Sequence, residues 1–262
     1  MATKHSLGWI PDVPDHRDHL YAAPLANLQS LPRKVDLRPQ APPEIYDQGQ
    51  LGSCTGNAIA AAIEFDLRRQ KSPKAFTLSR LFIYFNERVI EHTTRSDSGA
   101  QIRDGVKSVS KLGAPPETLW PYSDENPGPF LEKPKPGVFT EALKFTATSY
   151  QRVARSLPQM KACLASGFPF VFGFSVYESF ESEEVAKTGV APLPGPHEKL
   201  LGGHAVLAVG YDDAAHRFTV RNSWGPGWGD GGHFTLPYAY LLDDNLSDDF
   251  WTIRAIAGPA TV

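Results

Sequence analysis

The feature that most constrains the fold is a glycine-rich turn, residues 48–53, that runs directly into an alanine-rich segment, residues 54–63. Glycine permits a tight turn and alanine is the best helix former, so the pattern predicts a helix with Cys54 in its first turn. The free amide groups and the positive dipole at a helix start stabilise an anion. We therefore expect the pKa of the Cys54 thiol to be lowered, which would make it a nucleophile near neutral pH.

Two later segments offer partners for a nucleophilic thiolate. His204 stands at the head of an apolar segment that has the composition of a buried strand, and Asn222 lies two residues before Trp224. Cysteine, histidine and asparagine can form a triad in which the asparagine orients the imidazole and the other two carry out the chemistry. Each residue alone is more often structural, but the three in this order favour a catalytic site.

The ordered blocks 35–38, 48–54, 98–100, 203–205 and 222–225 together resemble the papain family of cysteine peptidases, and the resemblance covers most of the chain from about residue 31. It implies that the chemistry is carried out by Cys54 as nucleophile, His204 as general base and acid, Asn222 as the orienting residue, and the Gln48 side chain with the Cys54 amide as oxyanion hole. It also implies that Trp224 shields the contact between Asn222 and His204 from water.

The chain departs from the family pattern beside the nucleophile. Leu51 stands where the family has a cysteine, and Thr55 stands where it has an aromatic residue. Only Cys54 and Cys163 are present, and a bond between them would destroy the proposed nucleophile, so we expect no disulfide. Cys163 is expected to be a buried structural residue.

In the family a strand of small residues lines the cleft and pairs its backbone with the substrate. Gly99 and Ala100 occupy this position here, and the second of them is a glycine in the family. The resemblance implies that both bind the peptide substrate by strand addition. The alternative is that they form only the turn before a helix that starts near Ile102.

Composition excludes several classes of function. The 26 basic and 29 acidic residues give a net charge of -3 without a basic run, which argues against a nucleic-acid partner. The N-terminal residues have no apolar core of signal-peptide length and no apolar run reaches 18 residues, so we expect neither Sec export nor a membrane span, and synthesis in the cytoplasm. The final compartment stays open. His16 and His19 belong to no four-ligand set, so we expect no metal and no other cofactor.

Residues 1–30 combine several prolines with large apolar residues, among them Trp9 and Tyr21. Proline discourages helix and the apolar residues discourage disorder, so the composition predicts an extended arm that packs on the body. It does not resemble the helical inhibitory propeptide of the family, which suggests a prokaryote-type member. We weigh two roles equally: occlusion of the cleft within the molecule, and structural cladding.

The predicted fold is α+β, a papain-like two-lobe fold in which the cleft separates a helical lobe, about 46–137, from an antiparallel β-rich lobe, about 138–262. Together, residues 31–262 form the peptidase domain. Apolar periodicity predicts helices at 54–69, after Ser79, at 102–112 and at 157–166. Valine- and aromatic-rich segments predict strands at 168–176, 205–211, 218–222, 233–236 and 251–256. Residues 177–203 are expected to be a surface excursion.

The predicted function is that of a papain-like cysteine endopeptidase, which hydrolyses peptide or protein substrates through an acyl-enzyme on Cys54. Two alternatives remain open. The same thioester chemistry could serve an exopeptidase, a deamidase or a transferase, or the chain could be a catalytically silent binding module.

Overall fold

The computed structural model describes residues 5–70 and 76–257, and its longest helix spans Cys54–Arg69, as the sequence predicts. Every residue of this helix from 54 to 67 is buried. The small alanine side chains allow this, because neighbouring elements can approach the helix closely on all sides. The start of the helix, and Cys54 with it, is therefore fixed inside the molecule.

Eight α-helices are described in the two ranges. They are α1 (Leu25–Gln29), α2 (Cys54–Arg69), α3 (Arg80–Ile90), α4 (Ile102–Leu112), α5 (Pro136–Ala142), α6 (Leu157–Ala165), α7 (Glu183–Thr188) and α8 (Tyr238–Leu242). Short 3-10 turns occur at Arg38–Gln40, Glu117–Leu119 and Pro129–Leu131. None of the described helices is long and apolar enough to cross a membrane.

The strands of the described chain form one mixed sheet. They are β1 (Leu20–Tyr21), β2 (Lys34–Asp36), β3 (Ala147–Val153), β4 (Phe170–Tyr177), β5 (Leu200–Asp212), β6 (Arg217–Arg221), β7 (His233–Pro237) and β8 (Ser247–Ile256). Their order is β1-β3-β8-β4-β5-β6-β7, with β2 paired to β5. Only the β1–β3 pair is parallel among those described.

Capping residues mark the start of one predicted helix and the end of another. Ser79 caps α3 by accepting a hydrogen bond from the Phe82 amide at 3.2 Å, and Gly113 ends α4 with a φ of +74°, which a side chain would strain. Val89, an apolar residue in the last turn of α3, is 43% exposed. Its neighbour Arg88 is buried and donates a hydrogen bond to the Phe130 carbonyl.

Residues 177–203 are only partly the surface excursion that their polar sequence predicts. They contain α7, which Ser182 caps by accepting from the Val185 amide at 3.3 Å. Phe180, Val185 and Ala191 are buried. The segment therefore packs onto the sheet side of the molecule, and its apolar residues are too widely spaced to have indicated this.

The α+β class is confirmed, because helices α2 to α4 pack on one another while six of the eight described strands follow later in the chain. The main core lies where α2 packs against β5 and β8. This packing brings the start of α2 to the strand that carries His204. Residues 1–4 of the predicted arm and 258–262 of the predicted β-rich lobe lie outside the described residues.

Candidate active site

Cys54 is the first residue of α2 and is fully buried. The hydroxyl of Ser53 is bonded to the Tyr122 hydroxyl at 2.6 Å and does not cap the helix, so first-turn amides stay available. Backbone amides of Gly8, Thr55 and Ala205 point at the Cys54 sulfur and favour its thiolate form. Because Ala205 follows His204 on β5, this contact sets the cysteine directly against the histidine-bearing strand.

The imidazole of His204 is held by Asn222, which directly follows β6. His204 Nε2 lies 2.8 Å from Asn222 Oδ1, and the same oxygen accepts from the Ser223 amide at 2.9 Å. A backbone N–H can only donate, so the acceptor is identified as the amide oxygen and His204 Nε2 carries the proton. Within the described chain His204 Nδ1 has no hydrogen-bond partner. It is therefore the ring nitrogen that can exchange a proton with a reacting group.

Trp224 covers the histidine. Its ring stacks on that of His204 with centroids 4.7 Å apart and planes 27° apart, and it is itself packed edge-on against Trp228 and Phe180. Trp224 is 3% exposed. The hydrogen bond between His204 and Asn222 is thus kept away from water.

The side chain of Gln48 is buried and oriented by Ser223. The Ser223 hydroxyl donates to Gln48 Oε1 at 2.7 Å, which leaves Nε2 as the donor end. That nitrogen donates to the carbonyls of Leu51 and Ser6, each at 3.0 Å. Ser223 is not among the residues that the sequence predicts for the site, and its place between Asn222 and Trp224 is the signal that could have indicated it.

Gly99 and Ala100 precede a helix, and the backbone of Ala100 also pairs with an extended segment of the same chain. Ala100 donates to the Gly8 carbonyl at 2.8 Å and accepts from the Ile10 amide at 3.1 Å, which makes a parallel bridge with Trp9. Gly99 has a φ of +72°, and α4 starts shortly afterwards at Ile102. The strand-like edge is already paired with another part of the same chain.

That partner is the arm segment, residues 5–10. The Trp9 amide donates to the Gly203 carbonyl at 2.9 Å, on the opposite side of the segment from Ala100. The fit is tight, because a Cβ added to Gly8 would lie 1.9 Å from the Gly52 carbonyl oxygen. The arm therefore crosses the site between the turn before α2 and the strand of His204.

Burial controls the charges of the site. It raises the pKa of the Cys54 thiol to about 12, against the opposing effect of the Ala205, Gly8 and Thr55 amides. It also lowers the pKa of His204 to about 4, although the bond to Asn222 opposes this. The expectation of a lowered thiol pKa is wrong for this arrangement, because the arm and the surrounding elements exclude the water that would stabilise charge. Both groups are neutral at pH 7.

A buried acid that the sequence did not single out lies beside the nucleophile. Glu87 of α3 is fully buried and accepts from the Thr55 hydroxyl at 2.7 Å. Burial raises its pKa to about 8. Thr55 stands where the family has an aromatic residue, so this departure from the pattern was the available signal.

His16 and His19 do not gather a ligand set. Their neighbours Asp15 and Asp18 pair with Arg17 and Arg103 instead. Across residues 5–70 and 76–257, no group of three or more histidine, cysteine, aspartate or glutamate side chains is arranged to hold a metal ion.

Comparisons with known proteins show the family of the chain. Residues 31–240 match the family model described as papain family cysteine protease. The chain is 40% identical to an uncharacterised peptidase C1-like protein of Acanthamoeba polyphaga mimivirus, over 97% of this chain and 88% of that protein.

Among solved structures, the chain is similar to xylellain, a cysteine protease from Xylella fastidiosa, with a TM-score of 0.91 and 46% identity over 97% of each chain. It is also similar to procathepsin L 3 of Tenebrio molitor, with a TM-score of 0.70 and 18% identity over 94% of this chain and 75% of that one, a likeness of fold alone. The predicted two-lobe fold is confirmed, and the chain belongs to the papain family of cysteine peptidases.

Proposed function

We propose that the protein hydrolyses peptide bonds through a thiolate on Cys54 and an acyl-enzyme intermediate. The observation that carries the proposal is the tautomer of His204, on the strand that contacts Cys54: Nε2–H is engaged by Asn222, and Nδ1 has no partner among the described residues. His204 Nδ1 takes the thiol proton, and the thiolate attacks the carbonyl carbon of the substrate. The imidazolium then protonates the leaving amine, and the neutral ring activates the water that hydrolyses the thioester.

Gln48 and the Cys54 amide serve as the oxyanion hole. Support comes from the Gln48 Nε2 donor, which Ser223 orients and which now holds the carbonyl oxygen of Ser6. That oxygen marks the place of a substrate oxyanion. A donor of this kind contributes about 3 to 4 kcal/mol to transition-state stabilisation, because it is oriented before the charge develops.

Substrate binding uses the edge formed by Gly99 and Ala100. The Ala100 amide and carbonyl both engage a peptide backbone, that of the arm, which is the interaction a substrate strand would make. Trp224 walls the site on the histidine side. In this proposal residues 31–262 are the peptidase domain, with a helical lobe at about 46–137 and a β-rich lobe from 138, and residues 1–30 are a regulatory arm.

The arm inhibits the enzyme by occupying these same positions. The carbonyl of Ser6 bonds to Gln48, while the group of Gly8 that faces the Cys54 sulfur is an amide N–H. The arm thus occupies the positions that a substrate would need, and it must leave before a peptide can enter.

Cys54→Ala and Cys163→Ala test the proposal as a matched pair. Both cysteines are buried, but Cys163 lies on α6 and donates to the Phe168 carbonyl at 3.5 Å, away from the site. Turnover of a fluorogenic peptide should be lost in Cys54→Ala and kept in Cys163→Ala, with both variants folded by circular dichroism. Turnover by folded Cys54→Ala would refute the mechanism.

A further inference from the structure

The side chain of Trp9 fills a pocket beside the cleft and is only 7% exposed. Two glycines make the room: a Cβ added to Gly173 on β4 would lie 1.9 Å from the indole, and one added to Gly203 on β5 would lie 2.8 Å from it. Any larger residue at either position would fill the space. The two strands thus leave a pocket that accepts a large, flat side chain.

A buried carboxylate lies at the polar end of this pocket. Trp9 Nε1 donates to Asp249 Oδ2 at 2.9 Å, and the Asp12 amide donates to the same oxygen at 3.0 Å. The other oxygen, Oδ1, accepts from Arg152 at 3.1 Å. Asp249 is fully buried and has a φ of +59°, a conformation that aspartate and asparagine adopt more readily than other side chains.

The backbone beside the pocket is the edge where a substrate would bind. Ala100 and Gly203 engage the main chain around Trp9 from opposite sides. Any peptide paired to this edge presents one of its side chains to the pocket. When the arm leaves, both described donors to Asp249 Oδ2 leave with it, because Trp9 and Asp12 belong to the arm. The entering side chain then faces a buried acceptor oxygen that has lost its hydrogen-bond donors. Leaving this oxygen unpaired costs free energy, unless the entering side chain itself supplies a donor.

The surrounding charges distinguish among side chains with N–H donors. Arg152 already compensates the charge of Asp249. The arm also carries away Asp12, an acid that pairs with Arg103 and Arg152. Opening therefore removes one negative charge from the neighbourhood of two arginines. A guanidinium or ammonium group would enter a more positive site, whereas a neutral indole would not.

We infer that Asp249 is a specificity-determining residue that makes the peptidase select substrates with tryptophan in this pocket. The inference rests on the proposed peptidase function. The indole fills the space between the two glycines and its N–H satisfies the carboxylate. Phenylalanine fills the space but leaves the acceptor unpaired, and a hydrogen-bonding site rejects such an analogue strongly.

The test compares Trp and Phe within each variant of the full-length protein. Fluorogenic tetrapeptides carry Trp, Phe or Arg at one of the four positions before the scissile bond, and each position is varied in turn. The ratio of kcat/KM for Trp over Phe is taken at the position where the three residues differ most in kcat/KM. The arm must open for both substrates, so its affinity cancels from the ratio. We expect a ratio of at least tenfold, with Arg below Phe.

Asp249→Asn should reduce the ratio to about 1. Asparagine tolerates the backbone conformation, but its single side-chain oxygen would accept the hydrogen bond from Arg152. The NH₂ group of the asparagine would then face the indole N–H, and two donors cannot bond to each other. Asp248→Asn is the matched control: Asp248 also pairs with Arg152 but does not touch Trp9. It should leave the ratio unchanged.

Labelling of Cys54 by Trp- and Phe-bearing peptidyl epoxides provides a second readout that needs no turnover. If no peptide were hydrolysed but labelling still preferred Trp in an Asp249-dependent way, the proposed function would fail and the pocket assignment would stand. The inference would be overturned if the unaltered protein reacted equally with the Trp and Phe reagents and substrates. It would also be overturned if Asp249→Asn showed the same ratio of Trp over Phe as the unaltered protein.

Discussion

The imidazole of His5 lies almost parallel to the indole of Trp224, with ring centroids 4.4 Å apart and planes 6° apart. Trp224 stacks on His204 as well, so one indole joins the arm to the candidate site. Burial lowers the pKa of His5, although the charge of Asp47 raises it, and burial lowers the pKa of His204 too. Docking of the arm thus holds two imidazoles in the neutral form.

Protonation of these two imidazoles should therefore favour release of the arm. A free imidazole has a pKa of about 6.5, above the value of either docked ring, so the open state binds more protons and gains stability as the pH falls through about 6.5. Amide hydrogen exchange at Trp9 and Ile10, corrected for the intrinsic rate, should show less protection at pH 5 than at pH 7.5.

His5→Phe is the control for this pH dependence, because it keeps a flat ring on Trp224 but cannot titrate. The loss of protection between pH 7.5 and pH 5 should shrink in this variant, with His204 responsible for the remainder. Equal protection of the unaltered protein at the two pH values would show that proton uptake is not linked to docking.

Gly8→Ala should open the site without altering any residue of the peptidase domain. The added methyl group would lie 1.9 Å from the Gly52 carbonyl oxygen, which belongs to the turn before α2 and cannot move freely. Because the arm competes with substrate, apparent KM should fall while kcat stays the same, and alkylation of Cys54 should accelerate by about tenfold or more. Gly137→Ala is the matched control, since its Cβ would meet no atom within 4 Å. An unchanged KM in Gly8→Ala would argue against competition by the arm.

Asn222→Ala should weaken catalysis without eliminating it. The variant removes the acceptor for His204 Nε2–H, so the ring can rotate and Nδ1 is misdirected for much of the time. Loss of such positioning lowers kcat by about 100-fold. Stopped-flow measurement of the acylation burst would locate the loss in the chemical step. If the folded variant were as inactive as Cys54→Ala, Asn222 would have a role beyond orientation.

Glu87→Gln should change the pH dependence of stability. Burial raises the pKa of Glu87 to about 8, whereas the unfolded chain has an ordinary glutamate pKa of about 4.3. The folded state therefore holds the extra proton between these values, and this contribution to stability is present below about pH 4.3 and lost as the pH rises through about 8. Glutamine does not titrate, so the variant should melt at least about 3 °C above the unaltered protein at pH 9 but not at pH 5.

The exposed Glu132→Gln serves as the control and should show no such crossover, because its carboxylate is solvated in both states. Parallel melting curves for Glu87→Gln and the unaltered protein across this pH range would mean that Glu87 is ionised in the folded state, with its charge compensated.

The helices of the first half could be predicted because their buried stripes recur at helical spacing. For α4 these are Ile102, Val106 and Val109, and the following glycine marks its end. Strand β3 was missed because it is half-exposed and contains Gln151 and Arg152, so no apolar alternation marks it. Its place in the sheet depends on pairing with β8, a partner about a hundred residues away.

The order of Gln48, Cys54, His204 and Asn222 predicts that these residues form the site, but it does not predict their electrostatic state. Burial raises the pKa of Cys54, and this burial comes from elements that are distant along the chain, which no local pattern encodes. Asp249 was missed for the same reason. It is one of several acids near the C-terminal end, and only the fold brings it to Trp9.

The short parallel pairing of β1 with Arg152 and Val153 makes residues 5–10, which we propose to be inhibitory, a tethered ligand. Residues 10–19 link Trp9 to this attachment, so the segment cannot diffuse away when it leaves the cleft. A ligand on a short tether acts at an effective concentration of roughly millimolar. A peptide at micromolar concentration must therefore bind far more tightly than the arm does, or the tether must be cut. A single cleavage between Trp9 and Leu20 would turn an intramolecular equilibrium into a dissociation governed by dilution, while the edge strand remained in the sheet.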